Sequence, residues 1–360
     1  MKKHKFELPF HVVKRDTMPL WKSLSIRVAA IAIALLLCSV LSIVLINKSP
    51  MVFFKTMFNA VFSESILIWQ FAKDTAVLLC ISLAITPAFR MRFWNIGAEG
   101  QTLIGALASV AMAFYFGSSL PNWLLLIVML SSAILAGALW GFIPAVFKAK
   151  WNANETLFTL MMNYVAIELV RFFISIWVKS GSGILAPLAA GHLPTVYNSY
   201  FLIIAVVLVL TVLVYVYLQY TKQGYEISVV GESENTAHYI GIKVNTVIIR
   251  TMIISGAICG IAGFLIVGAL DHTVSAESTV GGLGFIAIMV SWLAKFNPLA
   301  MIGTSAFITF LKKGTKNLAI RAAFPDMVVG IVLFFIIGCE FFINYKIKFR
   351  NTNKKGGEAK

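Results

Sequence analysis

Apolar runs of about twenty residues alternate with short polar breaks along most of the chain, and a run of that length is what a helix needs to cross a bilayer. The pattern predicts membrane-crossing helices near residues 28–47, 66–88, 95–116, 122–147, 155–178, 199–219, 247–270, 281–294, 297–311 and 325–344, with both ends of the chain cytoplasmic. The two runs flanking Lys295-Phe296-Asn297-Pro298 are short and read as half-helices meeting at a break. Residues 49–65, with Phe53, Phe54, Met57, Phe58 and Phe62, predict an amphipathic helix lying on the outer interface. The fold class expected is all-α: a polytopic membrane protein of about ten transmembrane helices, some of them broken. A basic arm (1–27) and a basic tail (345–360) flank one transmembrane domain (28–344).

Composition supports this. Apolar residues make up 59% and charged residues 12% of 360, against about 25% charged in soluble domains. The formal net charge of +15 does not indicate nucleic acid, because the basic residues follow the positive-inside rule. The arm, inner loops and tail of the ten-crossing arrangement hold 21 Lys and Arg against 7 in the outer loops. Lys312, Lys313, Lys316 and Arg321 run against the rule by falling outside. The arm, interrupted by Pro9 and Pro19 and carrying Phe6, Leu8, Phe10, Val12 and Trp21, suits the anionic inner leaflet. The first apolar run is long for a signal sequence and lacks a small-residue cleavage pattern, so it reads as a retained helix. Cys38, Cys80, Cys259 and Cys339 sit inside apolar runs without metal-ligand spacing.

Against that apolar background, Asn95-Ile96-Gly97-Ala98-Glu99-Gly100-Gln101 stands out. Asn95 is a good N-cap, and Glu99 suits the positive end of a helix. Helical spacing would set Asn95 and Glu99 on one face, Gly97 and Gln101 on another. The stretch reads either as a capped helix start or as a polar, broken helix beside a solute path. The run from 155 opens similarly. Asn154 can cap, Glu155 complements the dipole, and Thr156, Thr159 and Asn163 form a polar stripe, with Phe158 and Tyr164 as flat faces. That stripe either lines an aqueous path or joins two helices by hydrogen bonds.

Lys73 and Asp74, and the i, i+3 pair Glu168 and Arg171, lie within apolar runs. Such groups are functional candidates, yet a structural or snorkelling role serves equally, and neither pair forms a proton relay. Gly137 with Gly141, and Gly256 with Gly260 and Gly263, have the spacing that lets helix backbones approach closely. In the inner loop 220–246, Ser233 can cap a short helix over 234–240 that Gly241 stops. It is either a docking element or a surface turn. No phosphate loop, zinc-protease motif or nucleophile elbow occurs, so neither ATP hydrolysis, covalent catalysis, a cofactor nor a metal is expected.

Four stretches together resemble the permease subunits of nucleoside-type ABC importers, a family related to ribose and branched-chain amino-acid permeases. They are Asn95–Gln101; Asn154-Glu155 through Asn163-Tyr164; Gly224-Tyr225-Glu226, Gly231, Ala237, Tyr239 and Gly241-Ile242 with Ser255-Gly256-Ala257 and Gly260–Gly263; and Gly284-Phe285-Ile286-Ala287 with Asn297-Pro298-Leu299. Ser228 and Ser233 stand where that family usually has Arg and Asn, and Lys295 where it often has Arg. The resemblance implies a type II importer-like fold in the plasma membrane, working by alternating access. Its implied partners are an ABC ATPase, a second homologous permease in a heterodimer and an extracytoplasmic binding lipoprotein. Asn95, Glu99, Gln101, Thr159, Asn163 and Tyr164 would belong to the substrate path. Gly224, Gly231, Ser233, Ala237, Tyr239 and Gly241 would couple to the ATPase. A simple-sugar permease, such as one for ribose, and an ion-coupled secondary transporter are the alternatives.

Overall fold

A computed structural model describes residues 10–15, 18–178, 184–318 and 323–349. Arm residues Phe6, Leu8 and Pro9, the basic Arg321 and the tail 350–360 lie outside them. The chain forms two compact units, Met1–Val61 with Leu311–Lys360, and Phe62–Phe310.

In the first unit, strand β1 (Phe10–Lys14) leads to α1 (Leu20–Ile46) and α2 (Pro50–Phe62), and α13 (Phe324–Asn344) leads to β2 (Tyr345–Phe349). Helix α1 starts eight residues before the apolar run, directly after Pro19, whose fixed φ suits a helix lead-in. It packs along α13, where Ala30 meets Cys339 and Ile343, and Arg27 pairs with Glu340. The expectation of an all-α chain needs one correction. β1 and β2 form an antiparallel ribbon in which Phe10 faces Phe349 and Lys14 faces Tyr345, joining arm to tail. The alternation Phe-His-Val-Val-Lys and Tyr-Lys-Ile-Lys-Phe is too short, and too basic, to stand out as strand.

The second unit contains α3 (Ser65–Arg90), α4 (Ala98–Phe116), α5 (Asn122–Trp151), α6 (Glu155–Trp177), α7 (Phe201–Tyr220), α8 (Lys222–Glu232), α9 (Glu234–Tyr239), α10 (Val244–Ile266), α11 (Leu283–Leu293) and most of α12 (Pro298–Lys316). Its core is the meeting of α4, α5 and α10, which glycines make possible. A Cβ on Gly256 would overlap the carbonyl of Gly137, and one on Gly105 would come within 2.6 Å of the Gly260 Cα. Backbones this close maximise dispersion where lipid gives no hydrophobic drive.

Among the described residues, seven helices are long and apolar enough to cross a membrane, α1, α3, α5, α6, α7, α10 and α13, against the ten read from the sequence. Helix α4 is too polar in its first turn, α11 has only 11 residues, and α12 is amphipathic. The break between α11 and α12 is present, with Lys295 and Phe296 both in the left-handed region. Helix α12 runs to Lys316 rather than stopping at 311, so Lys312, Lys313 and Lys316 ride on its last turns, where cations complement the dipole.

Helix α10 ends in a π-helical turn, Val267–Asp271, stitched to the 184–200 loop. Leu193 N–H donates to the Gly268 carbonyl and Leu188 N–H to that of His272, each at 2.8 Å. His192 Nδ1 lies 3.2 Å from His272 Nε2. Burial, then the neighbouring His192, lowers the His272 pKa below the usual imidazole value, partly opposed by a backbone hydrogen bond with Val267.

Candidate functional site

The polar stretch before α4 folds into a buried knot. Helix α4 begins at Ala98 with Gly97 as its N-cap, so Asn95 does not cap it and does not share a helix face with Glu99. Instead Asn95 turns inward. Its Oδ1 accepts from Gly97 N–H (3.0 Å) and from Gln101 Nε2 (3.2 Å), and its Nδ2 donates to Ser255 Oγ of α10 (3.2 Å) and to Gln101 Oε1 (3.3 Å). A buried amide is costly without partners, and here both ends of the Asn95 side chain are met.

Helix α6 completes the knot. Asn154 caps it, accepting from Leu157 N–H at 3.1 Å, and Glu155 pairs with Lys148 of α5 at 3.0 Å. Thr159 and Asn163, one turn apart and buried, point at the same segment. Thr159 Oγ1 accepts from Ile96 N–H (3.1 Å), Asn163 Oδ1 from Gly100 N–H (2.8 Å), and Asn163 Nδ2 donates to the Ile96 carbonyl (3.0 Å). The stripe on α6 thus joins two helices by hydrogen bonds. Tyr164, next in sequence, faces away and is exposed.

Glu99 binds on the other side. Its Oε1 accepts from Gly282 N–H (2.8 Å) and its Oε2 from Gly284 N–H (2.7 Å), so the carboxylate sits on the first turn of α11. Charge-assisted bonds to a helix N-terminus are strong for their length. Gly284 is close enough that a Cβ there would lie 2.8 Å from Glu99 Oε2. Of the six path candidates, the structure therefore draws together Asn95, Glu99, Gln101, Thr159 and Asn163, and leaves Tyr164 outside.

The 220–246 loop is two helices, of which the sequence indicated one. In α8, Thr221 Oγ1 caps by accepting from Gly224 N–H (3.1 Å), and Glu226 pairs with Arg250 of α10 at 2.8 Å. A Cβ on Gly231 would overlap the Arg90 carbonyl, so α8 lies against the end of α3. Ser233 caps α9, its Oγ accepting from Thr236 N–H at 3.2 Å, and Gly241 ends it at φ 83°, a conformation other residues rarely adopt. Ala237 is fully buried, whereas Tyr239 is 92% exposed beside half-exposed Ile240. Helix α9 is anchored on one side and bare on the other.

Residues 67–337 match the family described as branched-chain amino acid transport system / permease component. The chain belongs to that permease family. It is 30% identical over 293 residues to the guanosine ABC transporter permease protein NupP of Bacillus subtilis, covering 79% of this chain and 83% of that one. It is 27% identical to the glucose ABC transporter permease protein TsgB13 of Haloferax volcanii, covering 96% and 95%. The guanosine permease protein NupQ, also of Bacillus subtilis, matches at 29% over 60% of this chain and 71% of its own. No solved structure matches.

The permease is a non-catalytic, multi-pass membrane subunit. Four partners in it were beyond sequence reasoning: Ser255, as the acceptor for Asn95; the Gly282 and Gly284 backbone amides, on Glu99; and Glu277, which accepts from Arg171 at 2.7 Å. Ser255 and Gly284 stand within stretches that carry the family resemblance, which marked the positions without saying what they touch.

Proposed function

We propose that this permease is one of two homologous transmembrane subunits of an ABC importer for nucleosides, driven by a separate ATPase and supplied by a binding lipoprotein outside the cell. The similarity to NupP over four fifths of the chain carries the solute class. The likeness to both NupP and NupQ of one organism supports a heterodimer. The excess of Lys and Arg in the segments around α8–α9 and at the chain ends supports placing them in the cytoplasm of a plasma-membrane protein. Ten crossings, counting α4 and the broken pair α11 and α12, within a transmembrane domain of residues 28–344, is the arrangement we favour.

In this reading α9 is the ATPase contact. Tyr239 and Ile240 meet the ATPase, Ala237 roots the helix, and Ser233 and Gly241 fix its ends. Gly224 and Gly231 let α8 press on α7 and α3 and pass the motion to the core. The knot of Asn95, Glu99, Gln101, Thr159 and Asn163 frames the solute path from behind, and Tyr164 faces it. ATP binding closes the ATPase pair, and the cavity between the two permeases changes the side it faces.

Glucose is the solute named for TsgB13, which matches over 96% of this chain, and that favours a simple-sugar permease as the second reading. Uptake by the complete importer in proteoliposomes separates the two. Labelled guanosine should accumulate only with ATP and be competed by adenosine or uridine, not by ribose or glucose; competition by sugars alone would overturn the nucleoside assignment. Ala237→Glu should leave insertion intact while ATP hydrolysis no longer rises with solute, and unchanged uptake would remove α9 from the coupling route.

A further inference from the structure

The buried side of α6 is Thr159, Asn163, Ala166, Val170 and Ile174, and the first three meet α4 and the segment leading into it. The face turned away from α4 is exposed, and beside apolar Met161, Val165, Phe172 and Ile176 it carries Tyr164, Glu168, Arg171 and Ser175, a 4-3-4 spacing that makes one polar stripe. The stripe is deep. At 1.5 Å per residue, Glu168 lies about 3 Å and Arg171 about 8 Å from the midpoint of α6, well within the ~15 Å half-thickness of the hydrocarbon.

Arg171 holds two carboxylates, Glu168 on its own helix and Glu277 in the segment before α11. All three side chains remain open, with 49%, 65% and 78% of their surface exposed. Two carboxylates against one guanidinium leave the cluster with a net negative charge. A cavity of about 340 Å³ lies beside it, lined by Arg171, Ser175, Glu277, Ile174 and Val178 among others. Lipid cannot solvate such a group, and a tight protein contact would strand its remaining lone pairs. Helix α7 shows what a lipid face looks like: between residues 202 and 218 its exposed side chains are Leu208, Val209, Val212, Leu213 and Val216, all apolar.

We propose that the Tyr164–Ser175 face of α6 is a wall of a water-filled solute route, and that the Glu168–Arg171–Glu277 cluster on it is a charge filter. The cluster accepts hydrogen bonds from hydroxyl-bearing, uncharged solutes and repels anions, phosphorylated forms of the same solutes among them. The inference rests on the transport reading above and adds to it the wall and the basis of selection.

Single-cysteine chemistry on the complete importer in proteoliposomes tests it, since Cys38, Cys80, Cys259 and Cys339 are all buried. Ser175→Cys, a near-isosteric change, and Glu168→Cys are treated with membrane-impermeant thiol reagents of either charge, with Leu213→Cys as the lipid-facing control. Both stripe cysteines should react and Leu213→Cys should not. At Ser175→Cys the cationic reagent should outpace the anionic one about tenfold relative to a free thiol, as a local field of one sign does for a mobile ion. A raised thiol pKa slows both reagents alike and drops out of the ratio. Adding either Glu168→Gln or Glu277→Gln, which leaves the cluster neutral, should return the ratio to that of the free thiol, and adding both, which leaves Arg171 alone, should invert it. Stripe cysteines as inert as Leu213→Cys would overturn the wall, and a ratio untouched by the two Gln changes would overturn the filter. Guanosine uptake in the same vesicles keeps the readings apart. ATP-driven uptake with an unreactive stripe sinks this inference alone, whereas a reactive, charge-selective stripe without nucleoside uptake sinks the solute assignment alone.

Discussion

Replacing Glu99 measures what the carboxylate contributes by holding the start of α11. Its two oxygens take the Gly282 and Gly284 amides at 2.8 and 2.7 Å, and Glu99 is itself 9% exposed. A hydrogen bond to a charged group is worth about 1.5–3 kcal/mol. Gly284 is buried, so its amide has nowhere else to turn, whereas half-buried Gly282 can recover part of its loss from water. Glu99→Ala should therefore cost about 3–5 kcal/mol. Glu99→Gln retains one acceptor and sets its NH₂ against the other amide, so about 1.5–3 kcal/mol should go. The assay is reversible unfolding of the purified permease in mixed micelles as the SDS fraction rises, followed by tryptophan fluorescence. An Ala variant within about 0.5 kcal/mol of the parent, the range of an inert surface change, would refute the view that this carboxylate secures α11.

Gly256→Ala drives a methyl group into the Gly137 carbonyl, and overpacking of this kind costs about 1–3 kcal/mol. The yield of folded protein should fall, while Gly303→Ala, whose Cβ meets nothing within 4 Å, should be neutral or slightly stabilising; equal yields would refute the close packing of α5 on α10. The His272 pKa is lowered on folding by burial and by His192, so between that lowered value and 6.5 the unfolded chain binds more protons and stability rises with pH. Stability should be complete above about 6.5 and drain away as pH falls toward the folded value, and His272→Gln should flatten that slope in the same unfolding assay. A wild-type profile flat between pH 5 and 7 would remove the histidine pair from the account.

The long helices were legible because the bilayer demands a simple signal. The runs at 66–88, 155–178 and 325–344 correspond to α3, α6 and α13 within about two residues at each end. The α9 cap was legible too, since Ser233 and Gly241 act within a few residues of themselves. What stayed hidden depends on partners far along the chain. Asn95 has the chemistry of a helix cap, but a cap is only one use for a buried amide. Ser255, 160 residues on, and Gln101 claim it, and the helix starts two residues later than a cap at Asn95 suggests. Helix α8 escaped because its apolar side is small and the ends of α3, α7 and α10 hold it in place, through Gly231, Gly224 and the Glu226–Arg250 pair. Glu168 and Arg171 were visible as a pair, but the third member, Glu277, sits 106 residues away from Arg171.

Backbone hydrogen bonds do not reach through a bilayer, so Phe10–Lys14 and Tyr345–Phe349, which exchange them, share one side of the membrane. The chain between them must then traverse it an even number of times. Seven is odd. In the ten-crossing arrangement proposed above the missing traverse belongs to α4, which packs against α5, α6 and α10 and is buried over most of its length, so that its polar first turn would be no bar to spanning. With α4 the tally is even, and α11 and α12 are bound by the same rule: both span or both turn back, never one alone.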